Sequence, residues 1–256
     1  MLLEVKNLSV KIKKTGKEIV KNISFNMEEN TCLGILGESG SGKSMTCKSI
    51  LGILKENLEA NGEIIFDGRN LLTLKKEESR DIRGKEICMI LQNPMTSFDP
   101  LYTIGNQLLE TFLEHLNINR DEAYKLAVES LEKMRLKDIE EVLKKYPHEL
   151  SGGQLQRVCI ARAISTKPKF IMLDEAVSSL DISTQVEILN LLQELKKSYS
   201  LSYIFVTHDL LTLTYICDSV IFFKEGRIVE KVDSLEKLCE VKDDYSKALL
   251  DAVIEF

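Results

Sequence analysis

The chain has 256 residues, 44% hydrophobic and 29% charged, the balance of a globular protein with a large buried core. Its formal net charge of −6 argues against a dedicated nucleic-acid binder, whose footprint is basic. With no apolar run near the ~18 residues of a membrane span and no signal-peptide pattern in residues 1–6, the expectation is a cytoplasmic chain that meets a membrane only through a partner.

Residues 3–10 and 19–25 alternate apolar and polar side chains, which predicts strands. Residues 31–36 form a short apolar run suited to a buried strand, and residues 62–66 predict another, closed by the turn pair Asp67-Gly68. Between about residues 103 and 145 the period changes. Ala123, Leu126, Ala127, Leu131 and Met134 recur at helical spacing, Asp121 and Glu122 suit the positive helix start, and Pro147 stops the region. Strand–helix alternation then resumes, with strands over 170–173, 202–206 and 219–223 and a helix over 185–197. Glu225-Gly226 reads as a hairpin turn before a strand at 227–229, and a small amphipathic helix is expected from Asp243 onward. Alternation of this kind implies an α/β fold with a largely parallel sheet and helices on both faces. Cys32, Cys47, Cys88, Cys159, Cys217 and Cys239 form no Cys-x-x-Cys pair and read as reduced, mostly buried thiols rather than metal ligands.

Gly37, Glu38, Ser39, Gly40, Ser41, Gly42, Lys43 and Ser44 fit G-x-x-x-x-G-K-[ST] without a mismatch, between an expected strand and an expected helix. Glycines let the backbone wrap a phosphate, so that successive N–H groups and the helix start face the anion. Lys43 is expected at the β- and γ-phosphates and Ser44 on Mg²⁺. A chance glycine turn is the bland alternative, and the strand–helix context argues against it. This motif alone leaves kinases, GTPases, helicases and transport ATPases open.

Leu150, Ser151, Gly152, Gly153, Gln154, Leu155, Gln156 and Arg157 open a helix with a second glycine-rich anion site at its start. Residues 170–173 form an apolar strand ending in the carboxylates Asp174 and Glu175. On these residues the chain resembles the ATP-binding subunits of ABC transporters, whose signature LSGGQ-x-Q-R it matches at every position. The resemblance covers essentially the whole chain. It implies a P-loop nucleotide-binding domain with a mostly parallel core sheet, an N-terminal antiparallel β subdomain and an inserted helical subdomain. Residues 1–92 and 160–232 would form the core with its β subdomain, 93–159 the helical and signature subdomain, and 233–256 short C-terminal helices.

The resemblance also implies roles. ATP and Mg²⁺ are the expected cofactors, with Ser44, Gln92 and Asp174 at the metal. Glu175 would be the general base, Gln92 the glutamine that contacts metal and water, and His208 the switch histidine at the γ-phosphate. Ser151, Gly152, Gly153 and Gln154 would bind the ATP of a partner subunit, and Asp181 would belong to the loop coupling the two sites. The expected partners are a second, related ATPase, two transmembrane permeases and, indirectly, an extracellular solute-binding protein, with no nucleic acid. That assembly would hold the chain peripherally at the cytoplasmic face of the cell membrane. Two departures stand out. Ala176-Val177 replaces the usual Pro-Thr after the glutamate, and no aromatic residue near residues 10–17 stands ready to stack on adenine.

The segment Gln92-Asn93-Pro94-Met95-Thr96-Ser97-Phe98-Asp99-Pro100 resembles the extended loop of the nickel and peptide import group. With the helical insert it would receive a cytoplasmic helix of the permease. A short C-terminus without a cysteine cluster is more similar to nickel import subunits than to peptide importers. A soluble ABC ATPase acting on nucleic acid or the ribosome is the alternative from another class, and one cassette without a coiled-coil or zinc insert argues against it.

Overall fold

The computed structural model describes residues 1–254, so the last two residues of the expected C-terminal segment, Glu255 and Phe256, lie outside the described residues. In chain order the elements are β1 (Leu3–Ile12), β2 (Glu18–Met27), β3 (Cys32–Leu36), α1 (Lys43–Ile50), β4 (Leu58–Phe66), β5 (Arg69–Asn70), α2 (Lys76–Ile82) and β6 (Ile87–Leu91). Then come α3 (Ile104–His115), α4 (Arg120–Lys133), α5 (Ile139–Lys144), α6 (Gly152–Ser165), β7 (Phe170–Asp174) and α7 (Ile182–Tyr199). The chain closes with β8 (Ser202–Thr207), α8 (Leu210–Ile216), β9 (Ser219–Lys224), β10 (Arg227–Val232) and α9 (Asp244–Ile254). The class is the expected one: α/β, with an antiparallel N-terminal sheet and mostly parallel strands elsewhere.

Two compact units emerge. The first comprises residues 1–80 and 200–256, the second residues 81–199. In the first, the antiparallel order is β2-β1-β4-β5. Alternation in β1 buries Leu3, Val5, Leu8 and Val10, which is why a period of two was visible there. The same unit runs β3 parallel between β8 and β9, and β10 returns antiparallel on β9. All five residues of β3 and all six of β8 are buried, so these strands read as continuous apolar runs without alternation. Glu225 and Gly226 both have positive φ, 46° and 82°, the pairing a tight hairpin between twisted strands requires.

In the second unit β6 pairs with β7 in parallel. Helices α3 to α5 fill the expected helical stretch, and α4 starts on a capping box: Asn119 accepts the Glu122 N–H and Glu122 accepts the Asn119 N–H. Helix α7 begins three residues earlier than its apolar period suggested, because Asp181 accepts the Thr184 N–H at 3.0 Å and caps the first turn. Helix α8, seven residues long, carries no periodic signal that length allows one to read; its start is fixed by Asp209, which accepts the Leu211 N–H at 2.9 Å. Five cysteines are buried and Cys239 is exposed, and no disulfide joins them. Burial pushes the Cys88 and Cys159 thiols up to about 11, which suits inert packing groups. Among the described residues no helix is long and apolar enough to cross a membrane.

Candidate nucleotide-binding site

In the first unit, β3 delivers the chain into residues 37–44 and α1 leads it away. A Cβ on Gly37 would stand 2.1 Å from the Phe223 carbonyl oxygen, so only glycine lets the loop pass that strand. Gly42, at φ 111°, caps α1 in the left-handed region. Lys43 is 3% exposed, and its ammonium donates to the carbonyls of Gly37 at 2.6 Å and Glu38 at 2.7 Å. A cation held by loop carbonyls beside a helix start is the electrostatic core of an anion site. The parallel register Leu36↔Thr207 brings the exit of β8 beside the exit of β3, so His208 leaves the sheet next to Gly37. His208 is exposed, and the Asp209 N–H after it donates to the Thr207 hydroxyl.

In the second unit the register Leu91↔Asp174 sets Gln92 and Glu175 side by side at the ends of β6 and β7. Asp174 is buried at 8% exposure, and Glu175 adopts φ 52°. A glutamate in the left-handed region costs energy, and such strain concentrates where a side chain must be aimed. The loop after it is held by side chains from elsewhere in the unit. Gln92 donates to the Ser178 hydroxyl at 3.2 Å, Ser178 donates to the Glu175 carbonyl at 2.9 Å, and Ser179 donates to the Gln92 carbonyl at 3.0 Å. Ala176 and Val177 are buried, and their carbonyls accept from Gln156 at 2.7 Å and Gln185 at 2.9 Å. These amides do in part what a proline would do by ring closure: they hold the loop that follows Glu175.

Ser151 and Gln154 close a capping box at the start of α6, each accepting the other's backbone N–H at 3.2 and 3.0 Å. A Cβ on Gly153 would stand 2.6 Å from the Thr184 methyl, and Thr184 in turn donates to Asp181 at 2.7 Å. The glycine-rich helix start therefore packs directly on the Asp181 turn of the same unit. The Ser183 hydroxyl, the Thr184 N–H and the Thr184 hydroxyl hold the Asp181 carboxyl well below the usual carboxylate range.

The extended loop after Gln92 is ordered too. Asn93 accepts the Met95 N–H at 3.0 Å, Arg162 donates to the Ser97 carbonyl at 3.0 Å, and its guanidinium lies 4.3 Å from the Phe98 ring centre. Burial lowers the Arg162 pKa, yet it remains a cation over the physiological range. Gln107 accepts the Asp99 N–H and donates to the carbonyls of Asp99 and Tyr102. Where an adenine-stacking aromatic was missing, residues 13–17 form an exposed turn carrying Lys13, Lys14 and Lys17.

Sequence reasoning named every loop above but missed Gln156, Gln185, Ser178 and Arg162. Gln156 lies inside the signature but is of a residue type that is mostly exposed; Arg162 and the Gln92–Ser178 pair form bonds across wide sequence gaps, and Gln185 bonds the turn just before its own helix.

The pattern of the ABC transporter family matches residues 20–178, more than half of the chain. The chain belongs to the ABC transporter family. It is 40% identical over 249 residues to the metal-staphylopine import system ATP-binding protein CntD of Staphylococcus aureus, covering 97% of this chain and 92% of that protein. The oligopeptide transport ATP-binding protein OppD of Escherichia coli is 37% identical, over 98% of this chain and 75% of that one. These relatives put it with the ATP-binding proteins of the import group, an ABC ATPase class. Among solved structures, the ATP-binding cassette MJ0796, a dimer in a post-hydrolysis state bound to ADP and Pi, superposes with TM-score 0.79 at 28% identity, covering 90% of this chain and 97% of that chain. CbiO1 from Clostridium perfringens, described as part of the ABC transporter complex cbiONQ, superposes with TM-score 0.78 at 28% identity, over 93% and 91% of the two chains.

Proposed function

We propose that the chain is the ATP-hydrolysing subunit of an ABC importer, acting as one half of a two-site ATPase dimer at the cytoplasmic face of the membrane. Two observations carry this reading, one within each unit: Lys43 cradled at a helix start in the first, and Gln92 beside Glu175 next to a buried Asp174 in the second. Residues 37–44 bind the phosphates of ATP. Ser44, Gln92 and Asp174 offer a hydroxyl, an amide oxygen and a carboxylate, the hard oxygen donors that suit Mg²⁺. Bound there, Mg²⁺ would neutralise charge on the β- and γ-phosphates. Glu175 takes the proton of the attacking water, and His208 hydrogen-bonds the γ-phosphate. Ser151, Gly152, Gly153 and Gln154 complete the site of the partner subunit, and the Asp181 turn, packed on Gly153, links one site to the other. The dimeric state of MJ0796 supports a pairing of two such subunits.

A groove of about 700 Å³ in the second unit, lined by Asp99, Tyr102, Leu109, Leu113 and Glu114 among others, is the proposed seat of a permease helix. Tyr102 in its lining and Leu101, the residue before it, are 56% and 78% exposed, apolar surface that a membrane partner would cover. The extended loop resembles that of the nickel and peptide import group; within that group the proposed cargo is a metal, nickel(II), and the relative named for metal-staphylopine import supports a metal. Peptide is the second reading, favoured by OppD of Escherichia coli and by DppD of Lactococcus lactis, 39% identical. Uptake of radioactive nickel and of a labelled tripeptide in a deletion strain tests both. Loss of nickel uptake alone is expected; unchanged nickel uptake with lost peptide uptake reverses the assignment.

A further inference from the structure

The C-terminal hairpin and helix end on the nucleotide loop, and none of the roles above uses that contact. Gly226, in the β9–β10 turn, donates its N–H to the Ser41 carbonyl at 2.7 Å. A Cβ on Gly226 would stand 2.3 Å from the Ile19 carbonyl, so the turn packs against β2 only as glycine. Phe223, at the end of β9, crowds Gly37 with its carbonyl. Helix α9 adds the third contact: the Tyr245 hydroxyl accepts the Glu38 N–H at 3.1 Å.

Tyr245 is itself fixed. The Lys224 ammonium lies 4.7 Å from its ring centre, and Asp243 accepts its backbone N–H at 2.9 Å. Glu230 on β10 anchors the start of the helix by accepting the N–H groups of Lys242 at 2.6 Å and Asp243 at 3.2 Å. Burial pushes the Glu230 carboxyl up, but the hydrogen bonds to it together outweigh burial and keep it ionised.

We propose that Tyr245 is a positioning residue for ATP binding, whose hydroxyl holds the Glu38 peptide so that the Gly37 and Glu38 carbonyls can receive Lys43. The inference rests on residues 37–44 being the phosphate loop. Glu38 is exposed, and without the tyrosine its N–H would turn to water and the peptide would gain freedom. A loop ordered before the ligand arrives loses less entropy on binding. The Tyr245 hydroxyl bonds a backbone N–H of the loop and none of the groups assigned to the chemical step, so its effect is expected on binding. Removal of uniform binding raises KM and leaves kcat alone.

Tyr245→Phe keeps the ring and its contact with Lys224 and removes only the acceptor. The expected result is a Kd for a fluorescent ATP analogue, and a KM for ATP, about three- to tenfold higher. The same variant should keep kcat within about twofold and an unchanged thermal midpoint. Nucleotide affinity equal to that of the wild type overturns the inference, as does a fall in kcat with KM unchanged. Lys43→Ala, measured alongside, separates the two levels. If it loses nucleotide binding while Tyr245→Phe binds normally, only the inference falls; if Lys43→Ala binds like the wild type, the phosphate-loop reading falls and takes the inference with it.

Discussion

Around residues 37–44 the supporting atoms are mostly backbone: the Phe223 and Ile19 carbonyls, and the Gly226 N–H on Ser41. Around Gln92, Glu175 and Asp181 they are side-chain amides and hydroxyls: Gln156, Gln185, Ser178, Ser183 and Thr184. The first kind of support admits almost no movement, because a carbonyl cannot rotate away without moving its strand. The second kind can exchange partners at modest cost, about 1 kcal/mol per neutral bond. The phosphate loop is therefore a fixed cradle. The loop carrying Glu175 and Asp181, the proposed base and coupling residue, is held by bonds that can be exchanged.

That contrast can be broken at a glycine on each side. Gly226→Ala places a methyl against a backbone carbonyl at φ 82°, and is expected to cost about 2–4 kcal/mol, seen as a large drop in the denaturation midpoint. Gly153→Ala meets only the methyl of Thr184, and alanine's better helix propensity offsets part of the clash. Its cost should be about 1 kcal/mol or less, read in the same melts. If the two variants lose equal stability, backbone and side-chain support do not differ as described.

Between these lies Gln156→Leu. It leaves the buried Ala176 carbonyl without its 2.7 Å donor, which should cost about 1–3 kcal/mol and lower turnover by loosening the Glu175 loop. An unchanged turnover would separate that loop from catalysis.

The smallest effect concerns pH. The folded pKa of Asp181 is depressed, so the stability it contributes is full above the ordinary carboxylate pKa and is lost only as pH falls through the lower folded value. The Asp181 carboxyl should therefore remain ionised at a pH where exposed aspartates are protonated, as a carbon-13 NMR titration would record. Titration of Asp181 together with the bulk aspartates would mean that the Ser183 and Thr184 bonds do not persist in solution.

The same contrast explains what could be read from sequence. Residues 37–44 and 150–157 were legible because their chemistry is local: glycines, a lysine and a helix start within eight positions. β1 and α4 were legible through their periods, and the Glu225-Gly226 turn through its residue types. Short α8 and the early start of α7 were not, since a single cap such as Asp209 or Asp181 resembles any surface aspartate. Nor could any spacing rule join Gln156 to Ala176 or Tyr245 to Glu38, 207 positions apart. Those pairs depend on how strands order themselves, which the motifs do not encode.

Glu175 carries the proposed hydrolysis. Steady-state ATP hydrolysis by Glu175→Gln, measured beside its ATP affinity, is the direct test. The prediction is turnover lower by about 100-fold or more with ATP binding retained. Near-normal turnover in that variant would contradict the assignment of the base, and with it the catalytic reading of the β7 loop.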